Sequence, residues 1–144
     1  MASKPSIQEA LVYAMVTMSA VDRIVSDSEL SKIGAIVNQL PAFKGFDIDS
    51  LVKTAQKCGD ILSEDNGLDT ILDAIADALP RKLHETAYAL AVEVAAVDLT
   101  VRNEEIRFLE LLRDRLKLDT LVIAAIERGA RAASERVSEE AGHR

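Results

Sequence analysis

Apolar residues recur every three or four positions along most of this chain, and polar residues fill the positions between them. That spacing is typical of amphipathic α-helices that bury one face. The pattern is divided into segments by residues that favour the start of a helix and by Pro and Gly, which end helices. Residues 41–47 are predicted to form a loop and residues 135–144 a frayed tail. We predict seven helices, over about residues 6–22, 26–40, 47–62, 68–79, 81–98 and 103–117 and from residue 119 or 120 onward.

One arrangement of acidic residues occurs twice. Asp22 ends the first apolar run, and Glu29 lies where the second helix begins. Asp98 and Glu105 repeat this arrangement 76 residues later. The same shift places the apolar residues of the first two helices on apolar residues of the fifth and sixth: Ile7, Leu11, Ala14, Met18, Val21, Leu30, Ile33, Ile36 and Leu40 on Leu83, Ala87, Leu90, Val94, Val97, Ile106, Leu109, Leu112 and Leu116.

This repeat predicts the architecture. Two helix–loop–helix units, about residues 7–40 and 83–116, would pack around a rough two-fold axis, because neither unit can bury its apolar face alone. The first and fifth helices are apolar nearly all round, which predicts that they form a central pair. The expected fold is an all-α bundle of about seven helices in a single domain spanning residues 1–144.

Composition and charge narrow the possible partners. The 144 residues carry a formal net charge of −7 and only 3% aromatics, which disfavours nucleic acid, since that binding uses Lys and Arg on phosphates and aromatic stacking on bases. The longest apolar run, residues 87–97, is shorter than the roughly 20 residues that cross a bilayer and contains Glu93. No membrane span is expected, although association with a membrane-bound partner is compatible with this. A single cysteine, Cys58, and the lack of a basic, then apolar leader predict a cytoplasmic protein.

The repeated acids carry the candidate chemistry. Asp22 and Asp98 are poorly placed at helix C-termini, where the dipole presents partial negative charge, so each needs loop N–H groups, an arginine or a cation. Glu29 and Glu105 suit the first turn of a helix, and Glu29 forms a predicted capping box with Ser26. If the two-fold axis gathers the four acids, their oxygens favour a hard cation such as Ca²⁺ or Mg²⁺. Otherwise each acid only stabilises its own loop.

Other functional classes find little support. The sequence has no EF-hand spacing, no Glu-x-x-His motif and only two histidines, His84 and His143, which disfavours EF-hand, di-iron and zinc sites. It also has no nucleophile elbow and no Gly-rich phosphate loop, so we expect no enzyme. Cys58 is expected to pack between helices. Glu93 is expected either to reach water at the edge of the buried face or to pair across the core.

These residues also resemble a known family. Two copies of an apolar helix ending in Ala-x-Asp, each followed by a short loop and a Glu that opens an amphipathic helix, look like the tellurite-resistance TerB family. The resemblance is strongest over residues 10–40 and 86–118 and covers most of the chain. Family members usually have Gly directly after the Asp, where this chain has Arg23 and Leu99. The resemblance implies a compact seven-helix cytoplasmic protein with metal-binding acids, linked to tellurite and other stress resistance, and no defined catalytic reaction.

Two functions follow as expectations. The first is a TerB-like protein that binds a divalent cation through Asp22, Glu29, Asp98 and Glu105 and is linked to tellurite or general stress resistance. The alternative is a non-catalytic helical interaction module. In that case the acids only stabilise loops, and the helical faces dock a protein partner or a second copy to form a homodimer.

Overall fold

The computed structural model describes residues 4–20, 26–97 and 103–133, and all regular secondary structure in these ranges is helical. The predicted all-α fold is therefore confirmed. Residues 41–47, predicted as a loop, begin with a short 3₁₀ turn, Pro41–Phe43, and a second 3₁₀ turn, Arg81–Leu83, leads into the fifth helix. The seven α-helices are α1 (Ile7–Ala20), α2 (Asp27–Gln39), α3 (Asp49–Leu62), α4 (Gly67–Ala78), α5 (His84–Val97), α6 (Asn103–Leu116) and α7 (Thr120–Ala133). The predicted frayed tail, residues 135–144, lies outside the described residues.

Helix α1 lies at the centre of the bundle. Every residue from Ala10 to Ser19 is buried, and α1 packs most extensively against α5, then against α3 and α4. The predicted central pair is confirmed. Glu93, on α5, is exposed. Its carboxylate therefore reaches water, which is the first of the two alternatives predicted for it. Although α1 and α5 are apolar, no helix in the described residues is long and apolar enough to cross a bilayer.

A capping box fixes the start of α1. The Ser6 amide donates to Glu9 Oε1 at 2.9 Å, and the Glu9 amide donates to Ser6 Oγ at 3.1 Å. These two bonds satisfy backbone donors that have no partner within the helix. The other carboxylate oxygen of Glu9 lies 3.9 Å from Lys57 Nζ on α3. The cap therefore also ties the start of α1 to a neighbouring helix.

A tight turn joins α3 to α4, as the Asp, Asn and Gly of this segment predict. Asn66 adopts a left-handed conformation with φ of 59°, which Asn tolerates better than most residues. Gly67 follows it and is buried against the last turn of α3. A Cβ atom at this position would lie 2.8 Å from Leu62 Cα and would also overlap the Ile61 carbonyl oxygen. The turn therefore needs glycine for close backbone approach rather than for a positive φ.

Helices α2 and α6, the second helix of each repeat unit, do not bury equivalent positions. Helix α2 buries Ile33 and Val37, whereas α6 buries Phe108 and Leu112. These pairs match at a shift of 75 residues, not 76. Since one residue turns a helix by about 100°, the buried face of α6 is rotated relative to that of α2, although Leu112 and Leu116 are buried as the repeat predicts.

Two residues show the consequence of this rotation. Ile106, which the repeat matches to Leu30, is 45% exposed, so the prediction that it faces the core is wrong. Glu105 instead takes the position equivalent to Leu30 and is only 8% exposed. The two-fold relation of the units about residues 7–40 and 83–116 stays a prediction, and at the level of side chains it does not extend to α2 and α6.

Gly67→Ala is expected to destabilise the fold by about 1 to 3 kcal/mol, because the added methyl group would displace backbone atoms of α3. Gly59→Ala is the matched control, since a Cβ there meets nothing within 4 Å and Ala favours helix more than Gly. The control is expected to be neutral or to stabilise by up to about 1 kcal/mol. Urea unfolding measures both variants, and equal effects would show that close packing at the turn is unimportant.

Candidate functional site

The four candidate acids divide into two groups. Glu29 and Glu105 lie in the first turns of α2 and α6. Asp22 and Asp98, together with the loops that carry them, lie outside the described residues. The geometry of the site is therefore the geometry of two helix starts.

Glu29 forms the predicted capping box with Ser26. The Glu29 amide donates to Ser26 Oγ at 3.1 Å, and the Ser26 amide donates to Glu29 Oε1 at 3.0 Å. The Ser26 hydroxyl donates to the same oxygen at 3.1 Å. The helix dipole also favours a carboxylate at this end of α2. The simpler of the two interpretations of Glu29 is confirmed, and a role in binding a cation stays a prediction.

Glu105 has a different environment from Glu29. It is one of the few charged or polar residues buried in the described structure, and it faces inward because α6 is rotated relative to α2. A buried carboxylate needs hydrogen bonds or an opposite charge, since removal from water disfavours the ionised form. The start of α6 favours negative charge through the helix dipole. The two glutamates are therefore equivalent in sequence but not in burial.

The described residues do not by themselves assemble a metal centre. Helices α2 and α6 each pack on α1, and they do not pack extensively against each other. Within residues 4–20, 26–97 and 103–133, no group of three or more His, Cys, Asp or Glu side chains is placed to hold a metal ion. His84, in those ranges, contacts the Leu79 carbonyl oxygen through Nε2 at 3.1 Å. A cation site at the candidate acids would depend on Asp22 and Asp98.

Cys58 packs between α3 and α1, as predicted. Its Sγ lies 3.4 Å from Thr17 Oγ1 and 3.9 Å from the Tyr13 carbonyl oxygen. Burial raises the pKa of the thiol to about 11, although the hydrogen bond with Thr17 opposes part of this shift. At neutral pH the group is therefore a protonated thiol, which is a poor nucleophile and a poor metal ligand.

Helix α7 is held by a polar contact that sequence patterns did not reveal. The Tyr88 hydroxyl on α5 donates to Glu127 Oε2 at 2.6 Å, and Arg113 Nη1 on α6 lies 3.8 Å from the same oxygen. Burial, reinforced by Glu127, raises the pKa of Tyr88, so the hydroxyl stays a donor. No residue of α7 is fully buried. Ile123, Ile126 and Ala130 of α7 are partly buried against the core, and the polar contact adds to this packing.

The acidic residues around α4 include a second unexpected contact. Glu64, Asp65 and Asp69 are exposed. Arg115 on α6 nevertheless lies between Asp69, at 3.6 Å, and Asp73, with which it forms a short ion pair. The contact joins α4 to α6, and no periodicity in the sequence identifies such a pair.

Together these features define a helical bundle built around two central apolar helices, with acids at the start of the helix that follows each one. A family model described as tellurite resistance protein TerB matches residues 8–120 of the chain. The chain therefore belongs to the TerB family, as its resemblance implied. Neither a comparison with curated proteins nor one with solved structures gave a match.

Ser26→Ala is expected to destabilise the protein by about 1 kcal/mol, because it removes the side chain that accepts from the Glu29 amide. Glu29→Gln keeps an oxygen that can accept from the Ser26 amide and suits a capping box equally well. The loss of stability caused by Glu29→Gln should be smaller than that caused by Ser26→Ala, because it reflects only the missing negative charge at the start of the helix. Chemical unfolding in the absence of metal ions compares the two, and a larger loss for Glu29→Gln would assign the carboxylate a role beyond capping.

The raised pKa of Cys58 predicts alkaline destabilisation. The unfolded thiol ionises above its ordinary pKa of 9.0 while the folded thiol holds its proton until about pH 11. The contribution of the thiol to the free energy of unfolding is therefore complete below pH 9 and is lost as the pH rises towards 11. At pH 10 the loss is about 1 kcal/mol. Cys58→Ala should be less stable at pH 7 but should lose less stability between pH 7 and pH 10. Identical pH profiles, measured by urea unfolding, would contradict this assignment.

Proposed function

We propose that this TerB-family protein binds a divalent cation, Ca²⁺ or Mg²⁺, through Asp22, Glu29, Asp98 and Glu105, without catalysing a reaction. Binding would link the protein to the response to tellurite or to general metal and oxyanion stress. The observation that carries the proposal is the repeat itself. Each central helix is followed by an acid against its dipole and then by a Glu in the first turn of the next helix.

The chemistry of these residues supports a hard cation. Oxygen atoms, including those of carboxylates, are the ligands that Ca²⁺ and Mg²⁺ prefer. Ca²⁺ takes about six to eight of them, whereas Mg²⁺ keeps several waters and needs only one or two carboxylates. A net charge of −7 raises the local concentration of cations around the protein. A cation would also offset the unfavourable interaction with the helix dipole that is expected for an acid at the C-terminal end of a helix.

The position of the acids suggests what binding would do. The segments that carry Asp22 and Asp98 connect α1 to α2 and α5 to α6, and α1 and α5 form the central pair. A cation held between these connections would tie the two halves of the bundle together. Its effect would therefore appear as increased stability of the whole protein rather than as a new activity.

Thermal unfolding of chelator-treated protein tests the proposal. Ca²⁺ or Mg²⁺ at about a hundredfold excess over its dissociation constant should stabilise the fold by about 2.7 kcal/mol, which raises Tm by roughly 5 to 10 °C. The double variant Asp22→Asn with Asp98→Asn should lose this shift. Glu29→Gln should reduce the metal-induced shift in Tm. The stability of this variant without metal should stay nearly unchanged, because the cap is kept.

Asp27→Asn and Glu104→Gln are matched controls. Each removes one negative charge next to a candidate ligand, and neither belongs to the proposed set, so both should keep the full shift in Tm. The absence of a shift with any ion, together with a large loss of stability in the double variant, would show that the aspartates only stabilise their loops.

That second outcome would favour the alternative function, a helical interaction module. The described surface offers a place for such a contact: Leu121 on α7 is a large apolar side chain that is 77% exposed. An exposed apolar residue on a helix without any fully buried residue could contact a protein partner or a second copy. In that case the protein would bind no cation at the repeated acids.

A further inference from the structure

A groove of about 520 Å³ lies between α3 and α4. Ile61 of α3 and Ala74 of α4 line its walls, and Tyr13 of α1 borders it from the core. Pro5, which precedes α1, also lines it. The volume falls in the range of small-molecule sites, which are mostly apolar with a few polar groups.

Small side chains on α4 leave this space open. Thr70 and Ala74 are one helical turn apart and both line the groove. Leucine at either position would extend into it, whereas the adjacent face of the same helix carries larger residues, Ile71 and Ile75, that are completely buried. The space is therefore local to the α3–α4 surface rather than a sign of general loose packing.

The charges around the groove are unequal. Lys57 lies 3.9 Å from Glu9 Oε2, so its charge is already matched. Asp60 and Asp77 have no ion-pair partner in the described parts of the chain, and both line the groove. Lys4 remains, but it is exposed and its long side chain can turn towards water. The groove thus has two unmatched carboxylates against one mobile ammonium group.

Tyr13 adds no charge to this balance. Burial raises its pKa to about 12, so the hydroxyl is neutral at physiological pH. The groove therefore combines apolar walls, a neutral tyrosine and an excess of negative charge at its edge.

We infer that this groove binds a small organic cation, an amine whose apolar body lies between Ile61 and Ala74 and whose ammonium group lies near Asp60 and Asp77. The inference is independent of the divalent-cation proposal, because Glu29 and Glu105, the two repeated acids that the structure describes, do not line the groove. It requires no reaction, and it assigns the α3–α4 surface a ligand of its own.

The test is a titration followed by the amide resonances of Thr70, Ala74 and Asp77 in two-dimensional NMR spectra. The probe is 2-phenylethylamine, and its matched ligands are 2-phenylethanol, which is neutral, and 3-phenylpropanoate, which is an anion. The amine should bind about fivefold more tightly than the alcohol at low salt, and the anion should bind most weakly, as expected for one or two partly exposed charge contacts.

Variants then separate shape from charge. Ala74→Leu and Thr70→Leu should each abolish the amide shifts by filling the groove, and both are compatible with a helix. Asp60→Asn and Asp77→Asn should each weaken binding of the amine by about 1.5- to 5-fold and leave binding of the alcohol unchanged. Ala124→Leu on α7 and Asp114→Asn on α6 are the controls, which should bind like the parent protein.

Three results would overturn the inference. The first is equal binding of amine, alcohol and anion, which would show a groove without charge preference. The second is unchanged amine binding in both leucine variants, when their circular dichroism spectra confirm folding. The third is the absence of any localised amide shift at millimolar amine.

Discussion

The enclosure of α1 is the constraint on which the rest of the structure depends. A helix that is apolar on every side from Ala10 to Ser19 must be surrounded by other helices, because each exposed large side chain would forfeit about 1.5 to 3 kcal/mol. Helices α5, α3 and α4 supply most of that surround, and α2 and α6 complete it. The polar group of Thr17, which is buried with the others, is matched by the Cys58 thiol. The bundle is thus organised from the centre outward, and its outer helices differ in how firmly they are held.

Residues whose role is set locally could be predicted from the sequence. The capping boxes at Ser6 and Ser26 depend only on residues three positions apart, and the central position of α1 follows from its uniform apolarity. The inward face of α6 could not be predicted in the same way. Both Ile106 and Glu105 belong to an amphipathic helix, and only packing against α5, α4 and α1 decides which of them turns inward. The groove and the Tyr88 contact join residues far apart in the chain, so no periodicity indicates them.

The different burial of Glu29 and Glu105 bears on what a cation site can be. Glu29 is held in place by its cap, and its carboxylate is therefore pre-oriented before any ion arrives. Glu105 lies within the bundle, where the attraction between a carboxylate and a cation is less screened by water. A shared site would combine one surface ligand and one buried ligand. Such a site would respond asymmetrically to the two substitutions even though the sequence presents them as a repeat.

The distribution of acids on α4 links the stability of the fold to the proposed amine groove. Asp69, Asp73 and Asp77 recur at intervals of four residues, and like charges at that spacing repel each other. Arg115 offsets the first two, which leaves Asp77 at the edge of the groove without a matched positive charge. An ammonium group beside Asp77 would therefore relieve a repulsion that the fold leaves in place. The preference of the groove for a cation follows from the same row of acids that Arg115 links to α6.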